Sequence, residues 1–136
     1  MNPFYGKDFL TTTNLTKDML SYIINYTSKI DTNPQKYNQR CKNKILATLF
    51  FEPSTRTRLS FEAAMIRLGG QVVSVENGNS TSLKKGESLT DMGQVVGFYS
   101  DIMTMRHSEA HSINEFSENT KIPVINAGDG SHQHPT

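Results

Sequence analysis

Four short apolar runs, Ile45 to Phe51, Gln71 to Val75, Asp101 to Met105 and Ile122 to Ile125, alternate with stretches whose apolar residues recur at helical spacing. At four to seven residues each, the runs have the length of buried strands. Strands separated by helices join as parallel neighbours through right-handed crossovers, because a two-residue turn cannot reverse a parallel pair. The pattern therefore predicts an α/β domain of three layers, α/β/α, around a four-stranded parallel sheet. Predicted helices run from a Thr16 cap to about Ile30, from Arg56 to Leu68, from Ser88 to Tyr99 and from Glu109 to Glu118. Gly69-Gly70 closes the second of them. Asp31 to Asn43, with Pro34, is expected to be loop, and so is the polar interval Glu76 to Gly86, which carries Lys84-Lys85 near its end. Ligands of such sheets sit beyond the carboxyl ends of the strands. Ser54, Lys85, Arg106 and His134 each follow one of the four runs, so they are expected at one edge.

The densest chemistry lies in Phe50-Phe51-Glu52-Pro53-Ser54-Thr55-Arg56-Thr57-Arg58-Leu59-Ser60-Phe61. A strand leads into a tight turn, and a helix with apolar positions at Leu59, Ala63, Ile66 and Leu68 follows. Serine and threonine are ordinary helix caps, Pro53 is an ordinary start signal, and exposed arginines are usually solvated. Three hydroxyls (Ser54, Thr55, Thr57) interleaved with Arg56 and Arg58 exceed what capping needs, and the unpaired N–H groups of a helix start favour an anion. The turn suits a phosphate. It is not a nucleotide P-loop, since no Gly-x-x-x-x-Gly-Lys is present.

Net charge excludes the bulk alternatives. Fourteen basic against 13 acidic residues leave +1 over 136 residues, so global charge points to neither nucleic acid nor an acidic membrane surface. No apolar run approaches the ~20 residues that span a bilayer, and the N-terminus has no apolar signal core. Cys41 is the single cysteine, which excludes an internal disulfide and fits a reducing, cytoplasmic setting. Arg40 and Lys42 beside it would lower its pKa. His107-Ser108-Glu109-Ala110-His111 is not His-Glu-x-x-His and has no third ligand in view, so His107, His111 and His132 are read as surface or supporting residues, with no metal expected. Asp129, between Gly128 and Gly130, reads as turn chemistry, and Glu52 as an ion-pair partner for an arginine.

Phe51-Glu52-Pro53-Ser54-Thr55-Arg56-Thr57-Arg58 resembles the carbamoyl-phosphate signature of the transcarbamylases, and Glu52-Pro53 resembles their aspartate branch rather than the ornithine branch. Ser82-Leu83-Lys84-Lys85-Gly86-Glu87-Ser88-Leu89, Met105-Arg106-His107, and Asn126-Ala127-Gly128-Asp129-Gly130 with His134-Pro135-Thr136 agree in order and spacing. The resemblance spans essentially the whole chain. It is to the N-terminal, carbamoyl-phosphate-binding domain of aspartate carbamoyltransferase catalytic subunits, with ornithine carbamoyltransferase as the alternative.

The resemblance implies transfer of a carbamoyl group from carbamoyl phosphate to L-aspartate, giving N-carbamoyl-L-aspartate and phosphate in pyrimidine synthesis, with no cofactor. Ser54, Thr55, Arg56 and Thr57 would hold the phosphate. Thr57, Arg106 and His134 would stabilise charge growing on the carbonyl oxygen. Ser82 and Lys85, or Lys84 in place of Lys85, would reach from the loop into a neighbouring subunit's site of a homotrimer, to which regulatory subunits would add. The family pattern continues beyond residue 136 with a glutamine and an aspartate-binding domain. Residues 1–136 are accordingly expected to be a carbamoyl-phosphate-binding domain, inactive alone, or a binding and trimer-forming module without turnover.

Overall fold

The computed structural model describes residues 2–76 and 88–135. Its strands β1 (Ile45–Phe50), β2 (Gln71–Glu76), β3 (Ile102–His107) and β4 (Val124–Asp129) are all parallel and lie in the order β2-β1-β3-β4. Helices α1 (Lys17–Thr32), α2 (Thr55–Arg67), α3 (Leu89–Tyr99) and α4 (Ser112–Glu118) flank them.

Alternation along the strands assigns the layers. Ala47 and Leu49 of β1, Met103 and Met105 of β3 and Val124 of β4 form one buried cluster with Ile113 and Phe116 of α4. On α3, Gly93 lies so close to Phe116 that a Cβ there would sit 2.7 Å from the ring, which puts α3 on the same face. Residues of the other parity face α2 and α1: Thr48 donates to Glu62 of α2 at 3.1 Å, and Ile23 of α1 shares a cleft with Ile102 and Ile125. The three layers are therefore α1 and α2, the sheet, and α3 and α4, as the alternating pattern predicts.

From β1 the chain moves outward to β2, then crosses back to β3 on the other side of β1 and outward again to β4. The direction of winding reverses between β1 and β3, and in open α/β sheets a crevice opens at that switch. The outer edge of β4 is covered by the N-terminal segment. Phe9 N donates to Val124 O at 2.8 Å, Asn126 N donates to Phe9 O at 2.9 Å, and Asp8 Oδ1 accepts from Val124 N.

Several boundaries differ from the sequence expectation. Asp31 to Asn43 is not all loop, since α1 continues to Thr32 and Pro34–Tyr37 form a 3-10 turn, a short structure that tolerates proline at its start. The last helix begins at Ser112 and not Glu109: His111 takes a left-handed φ of 66°, and its N–H is drawn to Asp129 instead of into a helix. β4 runs from Val124 to Asp129 and not from Ile122 to Ile125, because its second half is polar but fully bonded. The expected Thr16 cap is present, its Oγ1 accepting from Met19 N at 3.2 Å, and Gly69 does close α2, with a φ of 85° and its main chain against the carbonyl of Asn38. Most of the expected polar loop, residues 77–87, lies outside the described residues.

Candidate functional site

β1 ends at Phe50, and Phe51 N donates to Arg106 O at 3.0 Å, so the chain leaving β1 stays beside the end of β3. Three residues further on, Ser54 is the N-cap residue of α2, yet its hydroxyl makes no capping bond. It accepts instead from Arg106 Nη1 at 3.2 Å. A serine in this position ordinarily satisfies an N–H of the first turn. Here it is turned toward a guanidinium, and the N–H groups of that turn are not capped by it.

Arg106 is placed by β-sheet register, opposite Phe50, with its side chain largely buried. Its Nε donates to Glu52 Oε2 at 3.2 Å, as the reading of Glu52 as an ion-pair partner predicts. Its Nη1 lies 3.2 Å from both Ser54 Oγ and His134 Nε2. A guanidinium has only donors, so His134 Nε2 must be the acceptor, which assigns the ring as the neutral tautomer protonated at Nδ1. Residues from after β1, at the end of β3 and after β4 are thus joined at one point.

Two features of β4 make room for this junction. Gly128 has a φ of 122°, and a Cβ there would stand 3.1 Å from His134 Cδ2 and 3.6 Å from Arg106 Cγ, so the absence of a side chain lets both groups lie against the backbone. Asp129, expected to be turn chemistry, is instead fully buried and accepts four hydrogen bonds: from Gln133 N (2.8 Å), His132 Nδ1 (2.8 Å), His111 N (3.1 Å) and Asn126 Nδ2 (3.2 Å). Burial alone would raise its pKa, but the bonds from His132, Asn126, Gln133 and His111 outweigh that and hold the carboxyl below its ordinary range. A strand covered on both faces accepts Asn126 and Asp129 only if their polar atoms are bonded internally.

Thr55 and Arg56 stand exposed on the first turn of α2, with Thr57 half-buried behind them. They are on the same turn as Ser54 and open toward solvent at the strand ends. Arg58 belongs elsewhere: its Nε lies 3.8 Å from Glu62 Oε1, which also accepts from Thr48 and Ser74. Ser82, Lys84 and Lys85 lie outside the described residues. His107 is not part of the junction; it packs edge-on against Phe51 and accepts from Glu109 N, while His111 and His132 pack on one another. Cys41 is half-buried, and burial pushes its thiol up by more than Arg40 lowers it, against the expectation from its neighbours. No helix among the described residues is long and apolar enough to cross a membrane.

Residues 7–136 match the sequence profile of the aspartate/ornithine carbamoyltransferase carbamoyl-phosphate-binding domain. The aspartate carbamoyltransferase catalytic subunit of Clostridium perfringens (strain SM101) is 52% identical over 131 residues, and that of Clostridium novyi is 46% identical; each match covers 96% of this chain. The chain spans 43% of the length of either relative. Among solved structures, aspartate transcarbamoylase from Trypanosoma cruzi in complex with carbamoyl phosphate superposes with a TM-score of 0.89 at 34% identity, over 96% of this chain and 43% of that one. The catalytic subunit of M. jannaschii aspartate transcarbamoylase does so with a TM-score of 0.87 at 43% identity, over 95% of this chain and 43% of that one. Sequence profile, sequence relatives, shared fold and the motif order along the strand ends agree, and the chain belongs to the aspartate/ornithine carbamoyltransferase family as its carbamoyl-phosphate-binding domain.

Proposed function

We propose that this domain binds carbamoyl phosphate for transfer of the carbamoyl group to the amino group of L-aspartate, giving N-carbamoyl-L-aspartate and phosphate in pyrimidine synthesis. The observation that carries the reading is the single nitrogen Arg106 Nη1, bonded to Ser54 on one side and His134 on the other. Those contacts take both hydrogens of Nη1 and Glu52 takes that of Nε, so the two N–H groups of Nη2 are the fork's donors to a phosphoryl and a carbonyl oxygen of one small ligand. Ser54, Thr55, Arg56 and Thr57 hold the phosphate at the start of α2, where N–H groups and dipole favour an anion. Thr57, Arg106 and His134 stabilise the charge that grows on the carbamoyl oxygen. His134 does so through Nδ1–H, the donor of the tautomer whose Nε2 accepts from Arg106.

The aspartate amine attacks the carbamoyl carbon with its lone pair, the carbonyl electrons move onto oxygen, and their return expels phosphate while the amine loses a proton. Phosphate is a good leaving group, so proximity and oriented charge supply most of the acceleration and no covalent intermediate on the protein is needed. The chain spans 43% of the length of its relatives, and the aspartate-binding groups are assigned to the remaining part. The protein is cytoplasmic and assembles as a trimer in which Ser82 and Lys85 complete a neighbour's site. Support for assembly comes from β2, an edge strand with Val73 exposed, and from Val95, Phe98 and Tyr99 exposed on α3.

Calorimetric titration of the 136-residue chain with carbamoyl phosphate tests the reading. Saturable binding that is lost in Arg106→Ala is expected. Binding that is unchanged in Arg106→Ala would contradict it.

A further inference from the structure

Asp129 holds the loop that carries His134 by both of its polar parts. Its main-chain N–H donates to Gln133 O at 3.0 Å and its carboxylate accepts from Gln133 N at 2.8 Å, so the residue before His134 is clasped from both sides of its peptide plane. The carbonyl of Asp129 accepts from His132 N at 3.1 Å, and its side chain takes His132 Nδ1. The carboxylate is itself immobile: it is fully buried, and Asn126, which donates to it, also donates to Leu10 O at 3.0 Å and accepts from Gly128 N at 2.7 Å. β4, the turn before α4 and the loop after β4 therefore converge on one carboxylate, with the N-terminal segment tied to it through Asn126, and from it the chain continues to His134 and its contact with Arg106.

We propose that Asp129 is the positioning residue for His134, fixing the imidazole against Arg106 so that its ring meets the carbamoyl oxygen and not the phosphate. The inference rests on the proposed carbamoyl-phosphate site, but the position of the ring does not depend on any ligand. Asp129→Asn is nearly isosteric and replaces one acceptor oxygen with a donor, which must face either Gln133 N and Asn126 Nδ2 at the Oδ1 place or His111 N and His132 Nδ1 at the Oδ2 place. One clasp is lost and His134 is released.

Two measurements test this in the 136-residue chain. Long-range nitrogen NMR of the imidazoles, assigned with His134→Ala, reads the tautomer of His134 without ligand; the wild type should show the Nδ1–H form, and Asp129→Asn should shift toward the Nε2–H form of free histidine. Titration with carbamoyl phosphate and with inorganic phosphate reads the site. Asp129→Asn should weaken carbamoyl phosphate by about tenfold, the worth of one hydrogen bond to a polar ligand group, and leave phosphate unchanged, because the phosphate groups sit on α2. In a His134→Ala background, Asp129→Asn should add no further loss, whereas a merely structural role would add in both backgrounds. If the wild type binds neither ligand, the proposed function fails and the tautomer alone decides Asp129. Should Asp129→Asn fail to fold, His132→Phe, which removes one donor at a partly exposed ring, carries the same readouts with a smaller effect. An unchanged His134 tautomer, or equal losses for carbamoyl phosphate and phosphate, overturns the proposal.

Discussion

A carboxylate with no solvent exposure is tolerable only while its hydrogen bonds outweigh its lost hydration, and Asp129 meets that condition with four donors. Its pKa is lower in the folded than in the unfolded chain, so the stability it contributes is fully present above its ordinary value and is lost as pH falls through the depressed one. The stability difference between wild type and Asp129→Asn should therefore be constant above about pH 5 and narrow below about pH 4, as followed by urea unfolding across that range. A difference independent of pH would mean that folding does not lower the pKa of this carboxyl. Thr104 is the opposite case: its hydroxyl is fully buried with no hydrogen-bond partner among the described residues. Thr104→Val keeps the shape and removes the orphan, and should raise stability by about 1 kcal/mol in the same experiment. Arg56 is exposed on the first turn of α2, and the proposed function gives it to the ligand. Arg56→Lys should weaken carbamoyl phosphate by calorimetry although charge is kept, because an ammonium cannot reproduce a bidentate fork.

The elements themselves were legible in the sequence wherever apolar periodicity was strong. β1 and β2, the Thr16 cap and the strand-to-helix turn at Ser54 fall within a residue or so of the expectation; for β1 the reason is that a central parallel strand buried on both faces must be a continuous apolar run. The misses share a cause. β4 continues through Asn126 and Asp129, and the turn before α4 borrows a bond from that same Asp129, so both boundaries depend on long-range polar contacts that a local pattern cannot carry. Of the candidate site, Ser54, Arg106 and His134 were placed correctly at one edge by strand order alone, while the distances that join them come from register and from Gly128. Packing of α3 on α4 gives a test at this scale. A Cβ at Gly93 would lie 2.7 Å from Phe116 Cε2 and 3.0 Å from Thr120 Cγ2, so Gly93→Ala should destabilise the fold by about 1–3 kcal/mol through overpacking, despite alanine's better helix propensity. Equal or greater stability would mean that the two helices can separate without cost.

For the whole molecule, the proposed site for one small anionic ligand lies at the switch point of a parallel sheet and draws on three separate stretches of chain. Those stretches come together only when the sheet is formed, so ligand must favour the folded state. The proposed trimer adds a further test in the protein carrying both domains: Lys85→Ala and Arg56→Ala chains, each inactive, should regain partial activity when mixed, since hybrid trimers would hold some intact sites. No recovery in mixed trimers verified by mass would place Lys85 in its own subunit's site or in none. The central claim is most directly tested by thermal unfolding of the 136-residue chain in phosphate or carbamoyl phosphate against chloride at matched ionic strength. At about 100 times its dissociation constant the ligand should stabilise the fold by about 2.7 kcal/mol and raise Tm by several degrees, while chloride does much less and Arg56→Ala loses the phosphate-specific increment at nearly unchanged basal Tm. Equal shifts in phosphate, carbamoyl phosphate and chloride, up to tens of millimolar, would contradict a built anion site at Ser54 and leave only a helix start.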